Sequence, residues 1–111
     1  MTDTTDWVRQ IASVLYEPLH PPQSRQEIGR RLKATRDALG MSVAEICDML
    51  GITKQAWSQY EHGNRRPDLN PMLILADRKG VSLDWIYRGV TSHLPMDLGL
   101  KILQHLATPP A

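Results

Sequence analysis

The sequence has 111 residues, 41% of them hydrophobic, and a formal net charge of +1 at pH 7. A chain of this length fills one small hydrophobic core, so we expect a single domain with short extensions. Its one cysteine, Cys47, cannot form an internal disulfide. No apolar run approaches the roughly 20 residues that span a membrane, and the N-terminus does not have the pattern of a signal peptide. We therefore expect a cytoplasmic protein.

Helical patterns dominate the sequence, and no stretch alternates apolar and polar residues as a strand would, so we predict an all-α fold. Thr5 can cap an N-terminal helix whose apolar face consists of Trp7, Ile11 and Leu15. The prolines in residues 17–23 end this helix and form a linker.

The next predicted helix runs from about Gln26 to Leu39. Ile28, Leu32 and Leu39 lie on one of its faces, and Gly40 is placed to end it.

Two short helices joined by a tight turn follow. Ser42 with Glu45 three residues later is a capping box, which opens a helix that continues to Leu50. Gly51 can adopt the left-handed conformation just past this helix, and Thr53 can cap the next one.

The helix after Thr53 has two faces. Trp57 and Tyr60 are predicted to point inward, together with apolar residues of the preceding helix and turn, namely Ile46, Cys47, Leu50 and Ile52. The outward residues are Lys54, Gln55, Ser58 and Gln59. Long amide and ammonium side chains near a helix N-terminus suit the major groove of DNA, where Gln pairs with adenine and Lys donates to guanine.

Three further elements are predicted beyond Gly63. A basic loop, "NRRP", precedes a helix that starts near Asn70 and Pro71 and ends at Gly80, with an inward stripe of Met72, Leu75 and Ala76. Ser82 can cap a short helix, "LDWIYR", that Gly89 ends, so five helices span roughly residues 25–89.

A C-terminal helix is predicted at residues 95–106, where apolar residues recur at four-residue steps: Leu98, Ile102 and Leu106. It either folds back over its own domain or pairs with a second chain.

Positive charge is concentrated in the middle of the chain. Residues 24–90 hold eleven Lys or Arg against eight Asp or Glu, whereas residues 1–23 hold one against three. This asymmetry is compatible with a nucleic-acid partner, although a small positive excess is also common on solvated surfaces.

Four linked motifs resemble a known family. In chain order they are "IGRRLKATRDALGMS", "AEICDMLGIT", "SQYEHGNRRP" and "GVSLDWIYRG", and they cover residues 28–89. Their order and spacing are similar to those of the Cro and phage-repressor type helix-turn-helix regulators, called the XRE family. The resemblance implies a five-helix, lambda-repressor-like DNA-binding domain at residues 24–90. The additional helices predicted above from their apolar spacing lie in residues 1–23 and 91–111.

The resemblance also implies roles for individual residues. In such proteins the second helix of the motif lies in the major groove, which implies base contacts by Lys54, Gln55 and Gln59, with Ser58 on the same outward face. We expect the phosphate contacts to come from Thr53, Asn64, Arg65 and Arg66. The family pairs an arginine late in its first helix with a glutamate near the end of the recognition helix, and the residues at these positions are Arg36 and Glu61.

Several of these residues have plainer interpretations. Trp57 and Tyr60 could stack on bases, but their spacing with Ile52 indicates core positions. Cys47 could be a redox sensor, but a small residue at a helix crossing accounts for it better. His62 could touch a phosphate or simply face solvent, and the paired arginines of the loop could be no more than a solvated surface.

The sequence therefore predicts a sequence-specific, DNA-binding transcriptional regulator, specifically a repressor, with double-stranded DNA as its partner. Because operators read by this family are usually two-fold, we expect a homodimer. The alternative is an antitoxin-like or adaptor protein that uses the same helical domain to bind a protein partner.

No nucleophile with a base and an orienting group is evident, so we predict no enzyme activity and no cofactor. The four histidines lie far apart, which argues against a metal site.

Overall fold

The computed structural model describes residues 20–107 of the chain. The predicted N-terminal helix, with Trp7 and Ile11, lies outside this range. Within it the chain forms six α-helices and no strands, which confirms the all-α prediction for the part described. The helices are α1 (Arg25–Ala38), α2 (Val43–Leu50), α3 (Lys54–Glu61), α4 (Leu69–Lys79), α5 (Leu83–Arg88) and α6 (Met96–Ala107).

Side-chain caps fix where most of these helices begin. Ser42 Oγ accepts a hydrogen bond from the Glu45 backbone N–H at 3.1 Å, and the Glu45 carboxylate accepts one from the Ser42 N–H at 3.1 Å. This is the predicted capping box, and it satisfies two backbone donors that would otherwise lack partners at the start of α2. Thr53 caps α3 and Ser82 caps α5 in the same way, through their hydroxyl oxygens.

Helix α4 begins one to two residues earlier than its sequence indicates. Its N-cap is Asp68, whose side chain makes no capping hydrogen bond to the helix. The Asp68 carboxylate instead accepts bonds from Arg65 at 2.8 Å and from the Tyr60 hydroxyl at 3.3 Å. Tertiary contacts therefore set this boundary, and Asn70 and Pro71 lie inside the first turn.

Helix α1 is the centre of the domain, because α3, α5 and α6 all pack against it, while α2 packs against α3 and α4. Inward faces of all six helices contribute to one core. Its most buried apolar members are Ile28, Leu32, Ile46, Trp57, Tyr60, Met72, Leu75, Val81, Trp85, Ile86 and Ile102. Trp57 and Tyr60 are 0% and 1% exposed, so they are core residues and cannot stack on bases.

Helices α1 and α3 approach each other backbone to backbone at Gly29. A Cβ atom at this position would lie 2.5 Å from the carbonyl oxygen of Glu61 and 2.6 Å from that of Tyr60. Only glycine fits this crossing as it stands, and the contact fixes the last turn of α3 against the domain centre.

A buried polar cluster joins α1 to α5. Arg31 is 0% exposed, and its guanidinium donates to the Ile86 carbonyl at 3.0 and 3.2 Å and to the Pro22 carbonyl at 2.6 Å. The indole of Trp85 donates to the hydroxyl of Thr35 at 3.0 Å, and this hydroxyl donates to the Arg31 carbonyl at 2.6 Å. These bonds satisfy groups whose burial would otherwise be unfavourable.

Helix α6 packs on α1 of its own chain. Ile102 and Leu103 are 0% and 4% exposed, while Leu98 and Leu106 pack at the margin of the core. Of the two alternatives for this helix, the structure has the one in which it folds back over its own domain. Ile102 is therefore not available for contact with a second chain.

Candidate nucleic-acid interface

The exposed face of α3 brings together the residues predicted to contact bases. Lys54, Gln55 and Ser58 are exposed, and Gln59 is half-buried at the edge of the same face. Trp57 and Tyr60 occupy the opposite face and anchor the helix in the core. This division leaves the N-terminal half of α3 as a polar surface on a rigid support.

The turn between α2 and α3 holds the two helices in a fixed arrangement. Gly51 ends α2 in the left-handed conformation, with φ of 70°, which favours glycine. Thr53 then begins α3, and its hydroxyl oxygen accepts from the Ala56 N–H at 3.0 Å. Thr53 therefore acts as a helix cap and is also exposed at the start of the polar face.

The loop after α3 carries exposed polar and basic side chains: Asn64, Arg65 and Arg66. Arg65 lies over the Tyr60 ring, with its guanidinium carbon 5.3 Å from the ring centroid, and it pairs with Asp68 at 2.8 Å. The side chains of this ion pair are 46% and 66% exposed. Exposed pairs contribute at most about 1 kcal/mol, so Arg65 can exchange Asp68 for another anion at little cost.

Arg25 is a basic residue beside this loop that the sequence did not single out. Its Nε donates to the Gly63 carbonyl at 2.9 Å, and Arg66 donates to the Gln23 carbonyl at 3.1 Å. Helix α1 and the loop after α3 thus meet at one edge, where three arginines are grouped. Arg25 and Gly63 are 38 residues apart in sequence, so no local pattern could indicate this grouping.

Glu61 connects α3 to α1. Its Oε1 accepts from Arg36 Nε at 2.7 Å and from the Trp57 indole N–H at 2.8 Å. The Arg36 and Glu61 side chains are only 14% and 10% exposed, and Arg36 also donates to the Met41 carbonyl at 3.1 Å. The residues expected to form an ion pair therefore lie in a mostly buried network that orients the end of α3.

His62 lies on the exposed side of α3, one turn after Ser58, at the C-cap of the helix. Its Nδ1 is 2.7 Å from the Ser58 carbonyl oxygen and 3.2 Å from Ser58 Oγ. This contact was not predicted, although the four-residue spacing of Ser58 and His62, which places both side chains on one face of a helix, could have indicated it.

Burial raises the pKa of two groups in the domain. The Cys47 thiol lies in the core, where desolvation disfavours the thiolate and raises its pKa, and its Sγ is 3.6 Å from the Thr53 carbonyl oxygen. Desolvation likewise raises the pKa of the Tyr87 hydroxyl, which donates to the Pro67 carbonyl at 3.1 Å.

These shifts predict a loss of stability at alkaline pH. A thiol near its ordinary pKa of 9.0 ionises in the unfolded chain first, so the folded state loses its advantage as pH rises above that value. We expect the melting temperature to fall as the pH rises from 9.0 to about 10. The slope should be smaller in Cys47→Ala, whatever that variant's stability at pH 7. An unchanged slope in Cys47→Ala would show that the thiol does not contribute.

No helix within residues 20–107 combines the length and apolar character needed to cross a membrane. In the same part of the chain, no group of three or more His, Cys, Asp or Glu side chains is arranged to hold a metal ion.

Both a family model and three curated proteins are similar in sequence to this chain. The family model of the helix-turn-helix domain matches residues 27–85. The HTH-type transcriptional regulator YonR of Bacillus subtilis, derived from the SPbeta prophage, is 38% identical over 69 residues, which are 62% of this chain and 64% of that protein. The HTH-type transcriptional regulator YqaE of Bacillus subtilis is 34% identical over 58 residues, 52% of this chain and 50% of that protein. YobD, a further HTH-type transcriptional regulator of Bacillus subtilis, is 32% identical over 57 residues, covering 51% of each chain.

The chain thus spans between half and two thirds of the length of these relatives. No solved structure matches it.

Proposed function

Since the chain belongs to the helix-turn-helix domain family, as its motifs predicted, we propose that it is a sequence-specific DNA-binding transcriptional regulator that acts as a repressor in the cytoplasm. The observation that carries this proposal is the polar face of α3. Lys54, Gln55 and Ser58 project from a helix that Trp57 and Glu61 hold rigidly against the domain. A rigid helix with exposed amide and ammonium groups fits the major groove, about 12 Å wide in B-DNA.

We assign two kinds of contact to this surface. Lys54, Gln55, Ser58 and Gln59 would read base edges, where an amide bonds to adenine in two places and an ammonium donates to guanine. Thr53, Asn64, Arg65 and Arg66 would hold phosphates on either side of the groove. The phosphate contacts add affinity that is the same for every DNA sequence, while the base contacts determine which sequence is preferred.

We further propose that the chain binds its operator as a homodimer, because one α3 covers only one half-site. Ile102 is buried within its own chain and cannot form the interface. Leu69 and Leu73, which are 55% and 39% exposed and one turn apart on α4, are the better candidates. Selection of bound duplexes from random DNA tests this directly, because a dimer of this kind prefers two half-sites about one helical turn, roughly 10 base pairs, apart.

The base-reading residues are tested by the double variant Gln55→Ala, Gln59→Ala. We expect each lost contact to cost about 1 to 3 kcal/mol on the selected duplex and to relax the base preference there. Binding to random-sequence duplex should change little. Equilibrium titration of both duplexes, with thermal melts to check folding, measures this. A folded double variant that selects the same duplex with undiminished affinity contradicts the proposal.

Arg65→Ala tests a proposed phosphate contact, in contrast to the proposed base contacts of Gln55 and Gln59. We expect it to weaken binding to selected and random duplexes alike and to reduce the slope of log affinity against log salt by about one per lost phosphate contact. Arg88→Ala is the matched control, since Arg88 pairs with Asp84 as Arg65 pairs with Asp68 and its side chain is comparably exposed, 58% against 46%, but it is not among the proposed DNA contacts. Its salt slope should equal that of the wild type.

A further inference from the structure

The bond between His62 and Ser58 determines which ring nitrogen carries the proton. A carbonyl oxygen only accepts hydrogen bonds, so Nδ1, at 2.7 Å from the Ser58 carbonyl, must be the donor. In the neutral ring Nε2 is then a bare acceptor. A phosphate oxygen also only accepts, and neutral His62 therefore cannot bond to one. The imidazolium can, because both of its nitrogens carry protons.

Charges of both signs surround His62. The negative end of the α3 dipole favours a cation at this position. The arginines at the neighbouring edge, Arg25 and Arg65, oppose it. The nearby carboxylates are already engaged, since Glu61 accepts from Arg36 and Trp57, and Asp68 accepts from Arg65. Within residues 20–107, the ring of His62 is hydrogen-bonded to Ser58 alone.

We propose that His62 binds a backbone phosphate of DNA as an imidazolium, through Nε2–H, so that binding is coupled to protonation of this residue wherever the free ring is neutral. The inference rests on the proposed DNA binding and adds to it a contacting residue and a dependence on pH. Duplex DNA presents one negative charge about every 1.7 Å of its axis, which favours the protonated ring in the complex. Affinity should therefore rise as pH falls through the range between about 5 and 8 in which histidine titrates.

Two substitutions distinguish the proposed phosphate contact of Nε2 from the hydrogen bond that Nδ1 makes to the Ser58 carbonyl. In His62→Asn the side-chain amide can donate to the Ser58 carbonyl as Nδ1 does, but no atom stands in the place of Nε2. In His62→Gln the longer amide reaches the place of Nε2 and donates at every pH. His93→Asn is the control, because His93 is exposed in the segment between α5 and α6, where it lies 3.6 Å from Asp84.

The experiment is a titration of the full chain with the selected duplex and with random-sequence duplex, at pH 5.5 and pH 8.0 and constant ionic strength. We expect the wild type and His93→Asn to bind both duplexes roughly tenfold more tightly at pH 5.5, as a charge-assisted contact implies. His62→Asn should lose most of this difference while melting like the wild type, and His62→Gln should bind with little pH dependence and at least as tightly as His62→Asn.

The outcomes distinguish this inference from the proposed function. If folded His62→Asn shows the pH dependence of the wild type, His62 only caps α3 and the inference is wrong, while sequence-selective binding through Gln55 and Gln59 stands. If the wild type shows no pH dependence on either duplex, the inference is equally overturned. If the wild type binds no duplex at either pH, the proposed function fails and this inference fails with it.

Discussion

Gly29→Ala is expected to lower the melting temperature by roughly 10 °C, although alanine ordinarily stabilises a helix by about 1 kcal/mol relative to glycine. The added Cβ would lie 2.5 Å from the Glu61 carbonyl oxygen and 2.6 Å from the Tyr60 carbonyl oxygen. Both are backbone atoms, so α1 and α3 must move apart. Overpacking typically costs roughly 1 to 3 kcal/mol, and a clash with two backbone atoms belongs at the upper end of that range. After the gain of about 1 kcal/mol in helix propensity, we therefore expect a net loss of about 2 kcal/mol.

Gly99→Ala is the matched control. Gly99 is also a buried helical glycine, but a Cβ there would meet only Leu94 Cβ at 3.7 Å, an ordinary van der Waals distance. We expect this variant to be neutral or up to about 1 kcal/mol more stable than the wild type. Thermal melts of the two variants side by side test the crossing geometry. Equal stabilisation by both alanines would mean that α1 and α3 do not approach this closely.

Glu61→Ala is expected to cost up to about 3 to 5 kcal/mol of folding free energy, because it removes the nearer anion of the mostly buried Arg36 guanidinium, which keeps only Asp37 at 3.5 Å, and leaves the Trp57 indole N–H without an acceptor. Glu61→Gln keeps an acceptor oxygen but removes the charge, so its loss should be intermediate. Denaturant titration monitored by tryptophan fluorescence measures both.

Lys33→Ala provides the comparison for Glu61. Lys33 also forms an ion pair on α1, with Asp37 at 3.5 Å, but 63% of its side chain is exposed. Surface pairs of this kind contribute about 0.3 to 0.5 kcal/mol, so we expect little change. If Glu61→Ala proved as mild as Lys33→Ala, the network around Arg36 would be a surface feature rather than a buried one.

Local signals in the sequence predicted the helices well, because caps act over three or four residues. Ser42 with Glu45 predicted the start of α2, and Gly51 predicted its end. These signals depend only on neighbouring backbone groups, and the structure has each of them where the sequence placed it.

The buried polar residues were missed because burial of a charged side chain depends on distant partners. Arg31 and Thr35 lie on the same face of α1 as Ile28 and Leu32, at three- and four-residue steps. Their spacing is that of buried residues, but a charged and a polar side chain are ordinarily expected at the surface. The carbonyl of Ile86, which Arg31 contacts, is 55 residues away in sequence. For the same reason, the apolar stripe of α6 indicated that this face of the helix is buried, but it could not indicate whether α1 or a second chain buries it.

The packing of α6 on α1 limits how this helix-turn-helix domain could be transplanted. The helix lies beyond residues 27–85, the region shared with the family, yet it supplies Ile102 and Leu103 to the same core. A chimaera that received only the shared region would carry an uncovered strip of α1 and a tendency to aggregate. Moving the proposed DNA-binding surface into another protein therefore requires a graft that continues to residue 107.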